Sequence, residues 1–231
     1  MKINKSIGGL FIAGAIALFI PYTMLTIIFE YPDILRQDTA TILTKFHAGG
    51  NRLIWTWFAF AITGIPLLPA YIMLGQKLEN KAPLVRMATT IGIIGLIVQM
   101  VGLLRWTFVV PVLADTFIHA TDEATKAAAI VAFKTIHQFG GVILGEHLGQ
   151  LFTIAWTVML SLSFAKLKLF PKWVNGLGFV SSFIYLLAQA ELFATVMPGF
   201  PVWGLAGFIG STLWLVWLVV IGIKFRSLKS I

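Results

Sequence analysis

Between His137 and Gln150 the chain reads HQFGGVILGEHLGQ, which puts a carboxylate, two imidazoles and two primary amides at the mouth of an apolar run. An ionisable group where a membrane helix begins is expensive to bury, so it marks a candidate site when partners can be named. Arg105 and Glu191, each near the end of another apolar run, are the expected partners of Glu146. In a binding site, Glu146 and Arg105 would hold charge while His147 and Gln150 orient the ligand. In an enzyme, Glu146 or His147 would serve as acid or base and Arg105 would stabilise an anion. The same stretch carries Gly141, Gly145 and Gly149 at every fourth position, a spacing that lets a second helix approach closely.

The elements that must position these residues are membrane helices. Of 231 residues 58% are hydrophobic and only 11% charged, with a mean hydropathy of +0.92. A soluble domain is about a quarter charged. The apolar runs are about 20 residues or longer, the length that crosses a hydrocarbon core about 30 Å thick, and the short alternating segments of a barrel are absent. The expectation is an all-α polytopic bundle, one integral membrane domain over 1–231. Its six spans fall at about 7–29, 53–74, 85–112, 141–165, 173–196 and 203–223. The first run ends in Glu30-Tyr31-Pro32 without a small-residue cleavage site, so it reads as a retained span, not a signal peptide. Pro66 and Pro69, with Gly64 nearby, predict a kink in span 2.

The formal charge of +8 lies in short runs beside the spans, which is membrane topology and excludes a nucleic-acid face. Eleven Lys and Arg collect on one side and five on the other, with Arg105 inside a span. The positive-inside rule then puts both termini in the cytoplasm of a bacterial inner-membrane protein and the two long connections outside. Those connections, Pro32 to Asn51 and Thr121 to Phe139, are expected to form two extracytoplasmic surface segments, amphipathic helices on the membrane that make a lid or rim. Asp122-Glu123 would open the second.

Helical spacing sorts the polar residues into stripes. Glu146, Gln150, Thr153 and Thr157 share one face of span 4, and Gly92, Gly95, Gln99, Gly102 and Arg105 or Trp106 share one face of span 3. On span 5 the stripe is Ser182, Tyr185 and Gln189; Glu191, two residues on, points elsewhere, in the direction of Thr195. If the stripes converge they line an outward-open polar pocket walled by Trp55, Trp57 and Trp106; if they do not, they are hydrogen-bonding seams between helices. The candidate ligand-binding residues are therefore Arg105, Trp106, His137, Glu146, His147, Gln150, Gln189 and Glu191.

Metal and cofactor chemistry find little support. With no cysteine, thiolate, disulfide and iron–sulfur chemistry are excluded. His137 and His147 lie ten residues apart, about 15 Å along a continuous helix, too far for one haem. His47 and His119 sit in the outer connections and could complete a histidine cluster, but no ligand-spacing motif joins the four, and no metal or cofactor is assigned. Gly-x-Ser-x-Gly, His-Glu-x-x-His and P-loop motifs are absent.

At the level of the whole chain the sequence resembles a family of bacterial six-span membrane proteins known as a domain of unknown function, DUF4386. Arg105-Trp106 with Val109-Val110-Pro111, His137-Gln138, Gly145-Glu146-His147-Leu148-Gly149 and Phe170-Pro171-Lys172-Trp173 carry the likeness. It implies a multi-pass integral protein and no catalytic residue. The leading functional expectation is recognition of a small molecule or lipid headgroup at the outer leaflet. The alternatives are a membrane enzyme using Glu146 and His147, and an accessory or structural subunit of a membrane complex. The partners expected are the lipid bilayer, such a ligand, and a second copy or another membrane subunit.

Overall fold

A computed structural model describes residues 2–228. Lys229, counted above among the basic residues, lies outside them. Every regular element is helical. The elements are α1 (Lys2–Phe29), a 3₁₀ turn (Asp33–Arg36), α2 (Thr39–Ile62), α3 (Leu67–Leu78), α4 (Leu84–Phe108), α5 (Val110–His119) and α6 (Glu123–Ile136). A π-helical segment (His137–Leu148), α7 (Gly149–Lys166), α8 (Lys172–Leu187), α9 (Gln189–Ala194) and α10 (Ala206–Ser227) complete the chain. Taken through their kinks they make six long apolar helices, and each predicted span falls on one of them within a few residues. The protein is a polytopic six-helix membrane bundle.

The first residues of α1 meet the last of α10, where Asn4 Nδ2 donates to Leu228 O at 3.1 Å. Both ends of the described chain are thus at one end of the bundle, here called the terminal end; the opposite end is distal. Three helices are much longer than a bilayer requires. Thr39–Leu78 has 40 residues, Leu84–His119 has 36 and Glu123–Lys166 has 44, about 60, 54 and 66 Å at 1.5 Å per residue, against a hydrocarbon core of about 30 Å. The excess is distal and consists of the first part of α2 with α5 and α6.

The apolar residues of the first long connection face the protein interior. Ile34, Leu35, Ile42, Leu43 and Phe46 are buried against Phe29, Trp57, Trp106, Val110 and Phe133 in a distal hydrophobic core. Their apolar faces are covered by protein, so they need no bilayer to bury them. Gly50, at φ 53°, turns α2 between this distal half and the membrane half, a conformation that favours glycine. Asp38 and Asp122 cap α2 and α6, accepting from the backbone N–H of Thr41 at 3.0 Å and Thr125 at 2.8 Å. The predicted kink in span 2 is a full interruption, with a turn over 63–66 before α3 resumes after Pro66.

Candidate functional site

The glycines of the π-helical segment explain its position. A Cβ added at Gly102 of α4 would stand 2.6 Å from Gly140 O and 2.8 Å from Gly145 Cα, so the two backbones touch. A wide i→i+5 turn can pack this closely only where side chains are missing, and such turns occur often at functional sites. The α4 stripe is thus a seam. Gln99 Nε2 donates to Thr153 Oγ1 at 3.1 Å, and the Arg105 guanidinium lies over Gly141, where a Cβ would meet Nη2 at 2.5 Å.

Arg105 is buried but reaches neither predicted carboxylate. Its Nη1 donates to Gly102 O at 2.5 Å, its Cζ lies 5.1 Å from the centroid of the Trp106 ring, and its Nε has no protein partner. Arg36, a residue that spacing along the spans did not select, takes the expected place. From the 3₁₀ turn its Nη2 donates to Glu146 Oε2 at 2.5 Å and its Nε lies 2.8 Å from Glu191 Oε1. Burial opposes the charge on Arg36, and the carboxylates of Glu146 and Glu191 overcome it, so its pKa is raised. Arg36 Nη1 and Glu146 Oε1 are buried without a protein partner.

Glu191 joins this group from α9, which follows α8 after a one-residue break at Ala188. Gln189 turns to span 4, accepting at Oε1 from His147 Nδ1 at 2.7 Å and donating through Nε2 to Gln150 Oε1 at 2.6 Å. An amide oxygen only accepts, so His147 carries its proton on Nδ1 in this arrangement. His137 stands apart. Its ring stacks on Phe133 at 5.3 Å and meets Trp106 edge-on at 6.0 Å, and neither nitrogen has a protein partner.

Beside the Arg36 pairs lies a cavity of about 160 Å³, reached by residues of all six long helices. Of the eight predicted residues, Glu146, Gln150 and Glu191 line it; Arg105, Trp106, His137, His147 and Gln189 do not. The predicted tryptophan wall is wrong. Trp55 is exposed, while Trp57 and Trp106 stack at 4.7 Å inside the distal core, because α2 and α4 turn these faces to one another. The aromatic walls are Tyr22, Tyr31, Phe60, Tyr185, Phe208 and Trp214. Tyr22 and Phe208 come from the first and last helices, which carry no acidic or basic residue near the cavity and so drew no attention in the sequence. Below it, Trp214 Nε1 donates to Thr157 Oγ1 at 3.1 Å, closing the predicted stripe of span 4.

A polytopic helical bundle with a half-buried Arg–Glu–Glu group beside an aromatic-lined cavity is the class of molecule these observations define. The chain belongs to the family described as a domain of unknown function, DUF4386, whose model matches residues 6–222. Neither a curated protein nor a solved structure gives a significant match.

Proposed function

We propose that the protein binds an amine-bearing small molecule or lipid headgroup in the cavity beside Arg36, Glu146 and Glu191. The observation that carries this reading is the charge balance of the lining: one guanidinium and two carboxylates, with Glu146 Oε1 left without a partner. A buried, unpaired carboxylate oxygen favours a charged donor. Aromatic faces around it, including Tyr22, Phe60 and Trp214, add attraction for a cation.

Two further points support a lipid. The basic residues gather at the terminal end, so by the positive-inside rule that end would be cytoplasmic and the Arg36 side of the cavity would lie towards the outer leaflet. On the outer surface of the bundle, Ala15, Ile16, Phe19, Val216 and Val219 form an apolar groove that shares Thr212 and Leu215 with the cavity. An alkyl chain attached to a bound headgroup would rest there.

A joint acid and base at Glu146 and His147 would need both on one substrate, and His147 is engaged with Gln189 away from the lining. An accessory subunit would offer its glycine stripe to another protein, yet Gly141, Gly145 and Gly149 are packed on α4 of this chain. The test is calorimetric titration of the purified protein in a nonionic detergent with ethanolamine, dodecylammonium and acetate. Saturable binding of the amines, weakened about tenfold or more by Glu146→Gln, is expected, since a charged hydrogen bond contributes about 1.5–3 kcal/mol. Tighter binding of dodecylammonium than of ethanolamine assigns a lipid; equal affinity assigns a small amine. Amine binding unchanged by Glu146→Gln would refute the reading.

A further inference from the structure

Two histidines that no sequence motif joins come together at the distal end, away from the cavity. His47 lies on α2 before the Gly50 turn, and Asp115 and His119 lie one turn apart on α5. The His47 and His119 rings are 5.3 Å apart between centroids, at 72°. His119 Nδ1 is 3.1 Å and His47 Nε2 3.8 Å from Asp115 Oδ1. One ligand atom from each of the three lies within 4.8 Å of the others.

We infer that His47, Asp115 and His119 form a binding site for a divalent transition-metal ion, with zinc as the reference ion. Three features carry the inference. First, the spacing suits coordination: around tetrahedral zinc with bonds of about 2.0–2.2 Å, ligand atoms stand about 3.4 Å apart, between the two distances measured to Asp115. Second, the donor set is selective. Two imidazoles and a carboxylate suit zinc, copper, nickel or iron, whereas calcium and magnesium take oxygen ligands. Third, the scaffold is fixed, because Phe46, next to His47, and Ala114, next to Asp115, are both buried in the distal core. The ligands therefore sit at one edge of a packed helix pair and close on an ion by side-chain rotation alone.

All three side chains are exposed, so the ion would keep solvent-facing positions for water or an exogenous ligand. Three protein ligands with an open fourth position is the arrangement of zinc sites that exchange ligands, in contrast to closed structural sites. As an ion pair without metal, the cluster contributes little, since exposed pairs are worth about 0–1 kcal/mol. The site stands or falls independently of the cavity.

The experiment is calorimetric titration of zinc chloride into the purified, untagged full chain after treatment with a chelator and its removal. One saturable site per chain is expected. His47→Ala, Asp115→Ala and His119→Ala should each weaken it about 10- to 100-fold or more, the loss seen when even an outer-shell partner of a metal site is removed. Glu123→Gln, an exposed carboxylate on α6, should leave it unchanged. Because the three ligands are exposed, the variants should elute as the parent does on size exclusion. Cobalt gives a second readout: d–d absorption bands of low-symmetry coordination in the parent, and only those of the hydrated ion in the triple variant. The inference is overturned if no saturable zinc binding is seen, or if the triple variant binds zinc as the parent does.

Discussion

The terminal and distal halves of the bundle are both well filled, and they differ in what their polar groups do. At the terminal end Ile7, Phe11, Trp156, Phe164, Trp217 and Phe225 pack in one core, with Tyr71 stacked on Trp156 at 4.1 Å. There the Trp217 indole donates to Val174 O at 3.0 Å, and the unpartnered groups, such as Ser161 Oγ and Asn175 Oδ1, are neutral. At the distal end Trp57 and Trp106 stack with both indole N–H groups unpartnered, and Arg36, Arg105, His137 and Glu146 carry unpartnered atoms as well. A buried polar group without a partner costs about 1–3 kcal/mol. The distal end thus keeps charged and polar groups that packing alone would remove, and the terminal end does not.

The largest effect that would break this contrast is predicted at the contact between α4 and the π-helical segment. Gly102→Leu would force a side chain into Gly140 O and Gly145 Cα, both backbone atoms that cannot move aside. Loss of folded, monodisperse protein on size exclusion is the expected outcome. At Gly9 nothing lies within 4 Å of an added Cβ, and Gly9→Ala should fold normally. A well-folded Gly102→Leu variant would mean that the close approach is dispensable.

A smaller effect is expected at Arg36. Arg36→Gln leaves Glu146 and Glu191 facing each other without the cation that now lies between them. Removing one partner of a fully buried pair costs about 3–5 kcal/mol and an exposed pair contributes about 0–1, so this half-buried group should cost about 1–3 kcal/mol. Unfolding in mixed micelles measures it. Adding Glu146→Gln should restore part of the loss, because the two carboxylates then no longer repel. A double variant less stable than Arg36→Gln would show that the pair is not the source of the effect.

These residues also show what could be read from the sequence. The six helices, the break before α3, the helix start at Asp122-Glu123 and the stripe from Glu146 to Thr157 follow from hydropathy, proline chemistry, the preference of a first turn for acidic residues and the 3.6-residue period. Arg36 did not stand out, because it lies in a four-residue 3₁₀ turn where no helical period assigns a face. Arg105 and Glu146 read as partners because both lie near the outer ends of spans, whereas the Arg105 guanidinium lies over Gly141 and donates to Gly102 O. Glu191 points away from Gln189, as its two-residue offset predicts, but the partner it meets, Arg36, lies in that same aperiodic turn. Long-range contacts and local departures from 3.6 residues per turn leave no periodic trace. They are also what brings the charged group together.

The two indole environments permit a finer comparison. Trp217→Phe removes a donor that reaches Val174 O, whereas Trp106→Phe removes one that reaches no protein atom. Both lose similar ring volume from fully buried sites. The terminal-end variant should therefore be the more destabilised of the two, by about 1 kcal/mol, the net contribution of one hydrogen bond. Equal losses in mixed-micelle unfolding would indicate that the distal indole N–H is satisfied by water.

The smallest effect separates the ways the two ends begin their helices. At the terminal end α4 and α8 start after Pro83 and Pro171 with no side-chain cap, while the distal helices α2 and α6 start on Asp38 and Asp122. The backbone N–H of Thr125, followed by its hydroxyl, holds the Asp122 carboxyl below its ordinary pKa. A carboxyl with a lower pKa when folded stabilises the fold above its unfolded pKa, and that contribution fades as pH falls through the folded value. Asp122→Ala should thus speed amide exchange in the first turn of α6 at neutral pH and leave α8 unaffected. Once the parent carboxyl is protonated in acid, its exchange should approach that of the variant. Equal exchange at neutral pH would mean that α6 is held by Ala129 and Phe133 in the distal core, with the cap adding nothing.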